Sequence, residues 1–375
     1  MYGEMKVLCR LGPLSATPYS LMMGLGALLA IALTLALARN RLSAGRAVAL
    51  CCVSVCAALL GGHIAYSLAF FPALEVDYGG YLFILRLHEG GSTLFGAVFA
   101  VMLVCWLFSK KWGMRAGALM DLIAPGAALA LCVGRAAEVF NGQGLGQAVE
   151  DPAFQRFPFA VCTYMDEEWS EWYLAVFVFE AAAALLIFLI LMALRNKPHR
   201  DGYLSGVFLT LFCSSQIFLE QLRADDCIRF GFVRLTQLCS LTVLLIFLVK
   251  KVLQEVRAHG WKMEIIFSVL RFVFAALCIV FTEFAFEKPQ FYPYLSVCIV
   301  LLALCIAVPA VLYSPAGRKP QGILIAAVSL ILGGLMLYVL TLGLENEWDY
   351  LYALMAVSVS VMAYEAWPRE EKIEA

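Results

Sequence analysis

Apolar runs long enough to cross a bilayer recur from one end of this chain to the other, and they constrain its fold more than any other feature. A helix rises about 1.5 Å per residue, so roughly 20 apolar residues cross a hydrocarbon core of about 30 Å. Backbone amides find no water in that core, which forces such a run to be helical. Eleven spans are predicted: 19–38, 48–71, 93–109, 117–134, 172–194, 203–222, 234–252, 263–282, 292–313, 321–342 and 349–366. Only 15% of the residues are charged and 63% are hydrophobic. A soluble domain is about a quarter charged. A chain of this size has too little polar surface to cover so many apolar runs. The expected class is all-α, a polytopic transmembrane helical bundle.

The basic residues orient it. Arg39, Arg41 and Arg46 follow the first span, Lys110, Lys111 and Arg115 the third, and Arg195, Lys197 and Arg200 the fifth. Lys250, Lys251, Arg257 and Lys262 follow the seventh, Arg318 and Lys319 the ninth, and Arg369 and Lys372 end the chain. The alternate connections are mixed or acidic, as at Asp166, Glu167, Glu168 and Glu171. Cytoplasmic loops carry the Lys and Arg excess. The N-terminus is therefore expected outside and the C-terminus in the cytoplasm, with an odd number of spans. The first 18 residues hold Lys6, Arg10 and two prolines without an apolar stretch, so no cleavable signal peptide is expected.

Several function classes drop out. No basic stripe or zinc-finger spacing points to nucleic acid. Ten of the 13 cysteines lie within spans, where a cysteine acts as a small buried hydrophobe. With no CxxC in the chain, neither a metal nor a redox cofactor is expected. Cys162 and Cys227 fall in loops placed outside, where a disulfide between them is open.

Ionisable residues within spans are costly and point to function. Asp121-Leu-Ile-Ala-Pro125 leads to Gly134-Arg135 and then to Asn141-Gly142-Gln143-Gly144-Leu145-Gly146. Asp121 and Arg135 face within about 40° of each other and lie about 21 Å apart along a helix. An arginine at the outer headgroup level, followed by a glycine loop, suits a lipid phosphate, which its planar fork binds bidentately. The competing reading is an arginine that snorkels to the interface. Gln216, Glu220 and Arg223 share one face at the outer end of the sixth span, as a site or as a structural pair. His88, in Arg86-Leu-His88-Glu89-Gly90-Gly91, is a possible base or a polar anchor. His63 has the same standing, and Tyr19 sits where aromatic belt residues sit. Connections 72–92 and 135–171 are both long and outside, and long ordered loops are often functional.

Taken in order, these pieces resemble the prolipoprotein diacylglyceryl transferase family. The preceding D-x-x-A-P is present as Asp121, Ala124 and Pro125. Of the family signature G-R-x-G-N-F-x-N-x-E-x-x-G, residues 134–146 keep Gly134, Arg135, Asn141 and Gly146. Glu89-Gly90-Gly91 matches an E-G-G element, but the following H-G is Phe95-Gly96. Ser205, Gly206, Phe208, Glu220 and Arg223 match S-G-x-F and R-x-x-x-E-x-x-R, with Gln216 at the first arginine. Gln237 and Ser240 fit G-Q-x-x-S, and Glu180 is the survivor of an H-P-S-Q-L-Y-E element.

The resemblance implies a seven-span transferase domain over 1–257, leaving 258–375 as a four-span membrane module of unknown role. It implies a bacterial cytoplasmic-membrane enzyme that moves a diacylglyceryl group from phosphatidylglycerol to the thiol of a lipobox cysteine, with the prolipoprotein signal peptide as its second partner. It assigns Arg135, Glu220 and Arg223 to catalysis. Tyr19, Asp121, Asn141, Gly142, Gly146 and Gln237 are the candidates for substrate binding. The family's own base is missing here, and His88 or Glu138, neither carried by a family motif, is the candidate to replace it. Two alternatives stand beside it: a transferase-like protein that only binds lipid or lipoprotein precursor, and a membrane transporter.

Overall fold

A computed structural model describes residues 7–11, 14–70, 91–166, 169–224, 229–230, 233–313, 319–342 and 347–368. His88, Glu89 and Cys227 lie outside these described residues. The described residues form eleven α-helices, one for each predicted span. These are α1 (Pro18–Ala38), α2 (Ala44–Ala69), α3 (Leu94–Trp112), α4 (Ala116–Ala137), α5 (Val176–Leu194), α6 (Tyr203–Leu222), α7 (Leu235–His259), α8 (Met263–Glu287), α9 (Tyr292–Leu312), α10 (Lys319–Leu342) and α11 (Glu347–Ala366). Ten of them are long and apolar enough to cross a membrane. The exception, α11, carries Glu347, Asp349 and Glu365. The protein is a polytopic helical membrane protein.

Side-chain exposure runs opposite to that of a soluble fold. Leu28, Leu59, Leu103, Leu186 and Ile246 are all more than half exposed on helix faces, while Glu180, Asp121 and Glu365 are buried. In lipid, apolar side chains turned outward cost nothing and polar ones turn inward. Helix pairs then associate through small residues that bring backbones close. In α1 against α4, a Cβ placed on Gly126 would stand 2.9 Å from the Ala30 carbonyl oxygen. In α2 against α3, a Cβ on Gly61 would stand 2.9 Å from the Gly96 carbonyl oxygen.

Local chemistry sets the helix ends. Thr17 and Ser20 form a reciprocal capping box before α1, with Pro18 in its first turn. The N-terminus of α6 is capped from outside its own sequence. Asp121 of α4 accepts the Gly202 and Ser205 amides at 2.7 Å each and the Ser205 hydroxyl at 2.8 Å. A carboxylate at the positive end of a helix satisfies amides that have no intrahelical partner.

The chain divides into two compact units. One holds α1–α5 and α6 apart from Gln216–Phe218, with the described loops up to Ala224; the other holds Gln216–Phe218 and the described residues from Arg229 to Pro368. The sequence expectation broke the chain after 257, whereas α7 packs as part of the second unit. Three two-stranded hairpins were not anticipated: β1 (Cys9–Leu11) with β2 (Leu14–Ala16), β3 (Ala160–Asp166) with β4 (Trp169–Leu174), and β5 (Arg229–Phe230) with β6 (Val233–Arg234).

In the second unit, Glu365 of α11 is the hub of a buried network. Its carboxylate accepts Arg271 Nε at 2.6 Å and the Ser268 hydroxyl. Lys251 Nζ reaches its carbonyl oxygen at 2.8 Å and its Oε2 at 3.5 Å. Arg271 also reaches the Cys305 carbonyl. Helices α7, α8 and α11 thus meet at one carboxylate, and Arg271 carries the network on to α9.

A candidate active site at the outer end of the first unit

Four charged side chains meet at one end of the first unit. Arg135 lies in the last turn of α4, and Glu138 in the single 3₁₀ turn that extends it. Glu180 lies in the second turn of α5, and Arg223 directly follows α6. Arg135 Nη1 stands 2.5 Å from Glu138 Oε1 and 3.3 Å from Glu180 Oε2. Arg223 Nη1 stands 3.0 Å from Glu180 Oε2 and 3.8 Å from Glu138 Oε2. Cations and anions alternate around a closed ring with no net charge. All four side chains are at most 14% exposed. Removing one member of a buried ion pair leaves an uncompensated charge, at about 3–5 kcal/mol.

Residues 141–149 lie across this ring as a strand-like strap. Gly146 N–H donates to the Leu174 carbonyl, Val149 N–H to Trp172, and Leu174 N–H to Gln147. On the other side Gly146 bridges Arg223, and Ala224 N–H donates to Leu145. The strap thus joins the β3–β4 hairpin to the residue that carries the second guanidinium. Two glycines are required in it. Gly144 has φ +74°, and a Cβ there would collide with the Glu138 carboxylate and stand 2.8 Å from Phe177 Cβ. A Cβ on Gly146 would stand 2.6 Å from the Leu222 carbonyl oxygen. Asn141 shapes the strap's entry, its Oδ1 accepting Gln143 N–H at 3.0 Å while Gly142 takes φ +73°.

Both carboxylates meet Arg135 through Nη1, so the Nε–Nη2 edge of its fork faces neither of them. Glu138 Oε2 and Glu180 Oε1 are buried and accept no hydrogen bond. Native structures leave few such atoms, and those that persist need an explanation. A guanidinium with a spare edge binds an anion, and carboxylate oxygens with spare lone pairs accept protons. Tyr19, in the first turn of α1, lies within the field of Glu138 and Arg135.

The family model for prolipoprotein diacylglyceryl transferase matches residues 6–253. The chain belongs to this family. Among similar proteins, the phosphatidylglycerol–prolipoprotein diacylglyceryl transferase of Bordetella avium (strain 197N) is 30% identical over 228 residues, which is 59% of this chain and 82% of that protein. The proteins of the same name from Legionella pneumophila (strain Corby) and Solidesulfovibrio magneticus are 27% and 29% identical, each over 50% of this chain and over 72% and 69% of their own lengths. The family match covers α1–α6 and most of α7, leaving α8–α11 beyond it.

Against the transferase family pattern, the structure gathers some expected residues and disperses others. Arg135, Arg223, Glu138, Gly142, Gly146, Asn141 and Tyr19 cluster around the ring or its strap. Glu220 is buried one turn before Arg223. Asp121, expected at the substrate, is instead about 21 Å away along α4, and its carboxylate is fully engaged as the α6 cap. Gln237 belongs to the second unit, where it donates to Glu283 at 2.8 Å and to the Ile217 carbonyl at 3.3 Å. Cys162 is an unpaired thiol.

Phe95, at the family's histidine, is buried against Phe212 at 5.6 Å between ring centroids. That position is hydrophobic core here. The sequence singled out Glu180 only as the survivor of a family element and gave it no role, whereas it touches both arginines. Its signal was present, because it is a lone carboxylate in an otherwise apolar span.

Proposed function

We propose that this protein transfers a diacylglyceryl group from phosphatidylglycerol to the lipobox cysteine of prolipoproteins, at the outer face of the bacterial cytoplasmic membrane. One observation carries the reading: two buried guanidinium groups held by two carboxylates that each keep an oxygen without a hydrogen bond. Arg135 holds the phosphate of the lipid through the fork edge its carboxylates leave, and Arg223 supports it. Donors fixed before the reaction stabilise the charge that grows on a departing phosphate. The cysteine sulfur attacks the glycerol carbon, the carbon–oxygen bond to phosphate breaks, and glycerol phosphate leaves. The thiol gives up its proton first, since the thiolate is the nucleophile. Glu138 Oε2, buried in the ring, is the acceptor for that proton. The strap of Asn141, Gly142 and Gly146 shapes the mouth, and residues 1–257 perform the reaction.

The test is complementation. Expressed in cells depleted of their own transferase, the protein is expected to put a diacylglyceryl group on a reporter lipoprotein, seen as a mass shift. Arg135→Ala is expected to lower it by about 100- to 1,000-fold. Full modification by a stably inserted Arg135→Ala variant would sink the site assignment.

A second reading has its own support. The Phe95–Phe212 packing puts no imidazole where the family pattern has one, which favours a protein that binds lipid without transferring it. Retained phosphatidylglycerol binding with no reporter modification is the result that selects this reading.

A further inference from the structure

Residues 150–159 form a compact turn at the foot of the β3–β4 hairpin, and two of its outward side chains are large aromatics. Phe157 is 68% exposed and Phe154 50% exposed, with Arg156 exposed between them. This is an ordered structure and not a loose loop. Phe154 N–H donates to Asp151, Arg156 N–H to Phe154, and both Phe159 and Ala160 N–H to Arg156. Gln155 Nε2 donates to the Val149 carbonyl at 2.9 Å, and Phe154 meets Phe159 edge to face at 5.7 Å. The chain thus spends several hydrogen bonds to hold two phenylalanines facing outward.

The height of this turn is fixed by one bond. Ala175 N–H donates to the Phe159 carbonyl at 2.8 Å, and Ala175 immediately precedes α5, whose 19 residues are apolar enough to cross the membrane. The turn is therefore level with the entry of a span, while the hairpin runs on from Ala160 and Leu174 away from it. At that level the neighbouring medium is the headgroup and upper acyl region, where aromatic rings concentrate. Arg156 adds the charge that attracts lipid phosphate. The exposed Glu150 and Asp151 at the start of the turn oppose it, and Asp151 also accepts the Ala153 amide at 2.8 Å within the turn.

We propose that residues 154–157 are an interfacial wedge: Phe154 and Phe157 insert among the acyl chains of the outer leaflet, and Arg156 sits at the phosphate layer. The occupant of this surface is phospholipid. The wedge does not depend on the catalytic reading, and its test does not use activity.

p-Benzoylphenylalanine in place of Phe157 in the full chain, reconstituted in phosphatidylglycerol–phosphatidylethanolamine bilayers and irradiated, is expected to gain the mass of one phospholipid. The same group in place of Glu171, higher on the hairpin, is expected to gain none. A protein adduct at 157, or no adduct there, overturns the wedge. As a second measurement, Phe157→Trp is expected to add emission, relative to wild type, that brominated lipids quench. Added emission that only aqueous iodide quenches also overturns it.

Discussion

Two of the buried charged clusters among the described residues are built in two different ways. In the first unit, Arg135 and Arg223 alternate with Glu138 and Glu180, and two carboxylate oxygens accept no hydrogen bond. In the second, the single carboxylate of Glu365 meets Arg271, Ser268 and Lys251, and both of its oxygens are engaged. Burying a charge is tolerable when its lone pairs and protons are matched. The Glu365 network meets that condition, ties four helices together and leaves nothing over for a ligand. The arginine ring balances charge but leaves acceptors unmatched beneath a strap that only glycine can form. A saturated network is what a clamp needs, and an unsaturated one is what a site needs.

The sharpest way to break this comparison is Arg135→Ala. It is expected to lower transfer to the reporter by about 100- to 1,000-fold, the scale of losing a charge-stabilising donor. Glu365→Ala comes next and acts on a different quantity. Leaving Arg271 and Lys251 without their anion is expected to cost about 3–5 kcal/mol of stability, read as a lower unfolding temperature in detergent, with the transfer rate per folded molecule unchanged. If Glu365→Ala removes activity while the protein stays folded, the division into clamp and site is wrong.

Gly144→Ala probes the strap. Its φ of +74° costs a side chain about 1–2 kcal/mol, and the new methyl displaces Glu138 from Arg135. A shift of about 1 Å near the reacting groups costs up to about 100-fold in rate, so an intermediate loss is expected in the same assay. The smallest effect is expected from Phe95→His. It puts a polar ring against Phe212 and is expected to cost about 1–3 kcal/mol of stability with little change in rate. A marked gain in transfer would show instead that this pocket had lacked its base.

All eleven helices were legible from hydropathy, because in a membrane the length and apolarity of a run nearly determine its structure. Charge asymmetry then placed Arg135 and Arg223 at one end of the bundle. Their pairing was not legible. Arg135 and Glu138 are three residues apart on one helix, but Glu180 and Arg223 are 43 residues apart, and no periodicity links them. The helix-face argument for Glu220 and Arg223 described only a local pair, whereas the Arg223 guanidinium turns to Glu180 and Glu138. The hairpins escaped notice because their strands are two to seven residues long, too short for an alternation signal. Asp121 was read as a substrate ligand because the motif around it was; its work as a cap depends on Gly202 and Ser205, 81 and 84 residues away.

That cap reaches further than its own turn. α4 and α6 act as two parallel spars, lashed together by Asp121 at one pair of tips and each bearing a guanidinium at the opposite tip. Sliding one spar by a single residue would carry its arginine about 1.5 Å past the other. A carboxylate at one end of the pair thus sets how the two arginines stand at the other, and Asp121→Ala is expected to lower transfer in the reporter assay without touching either guanidinium.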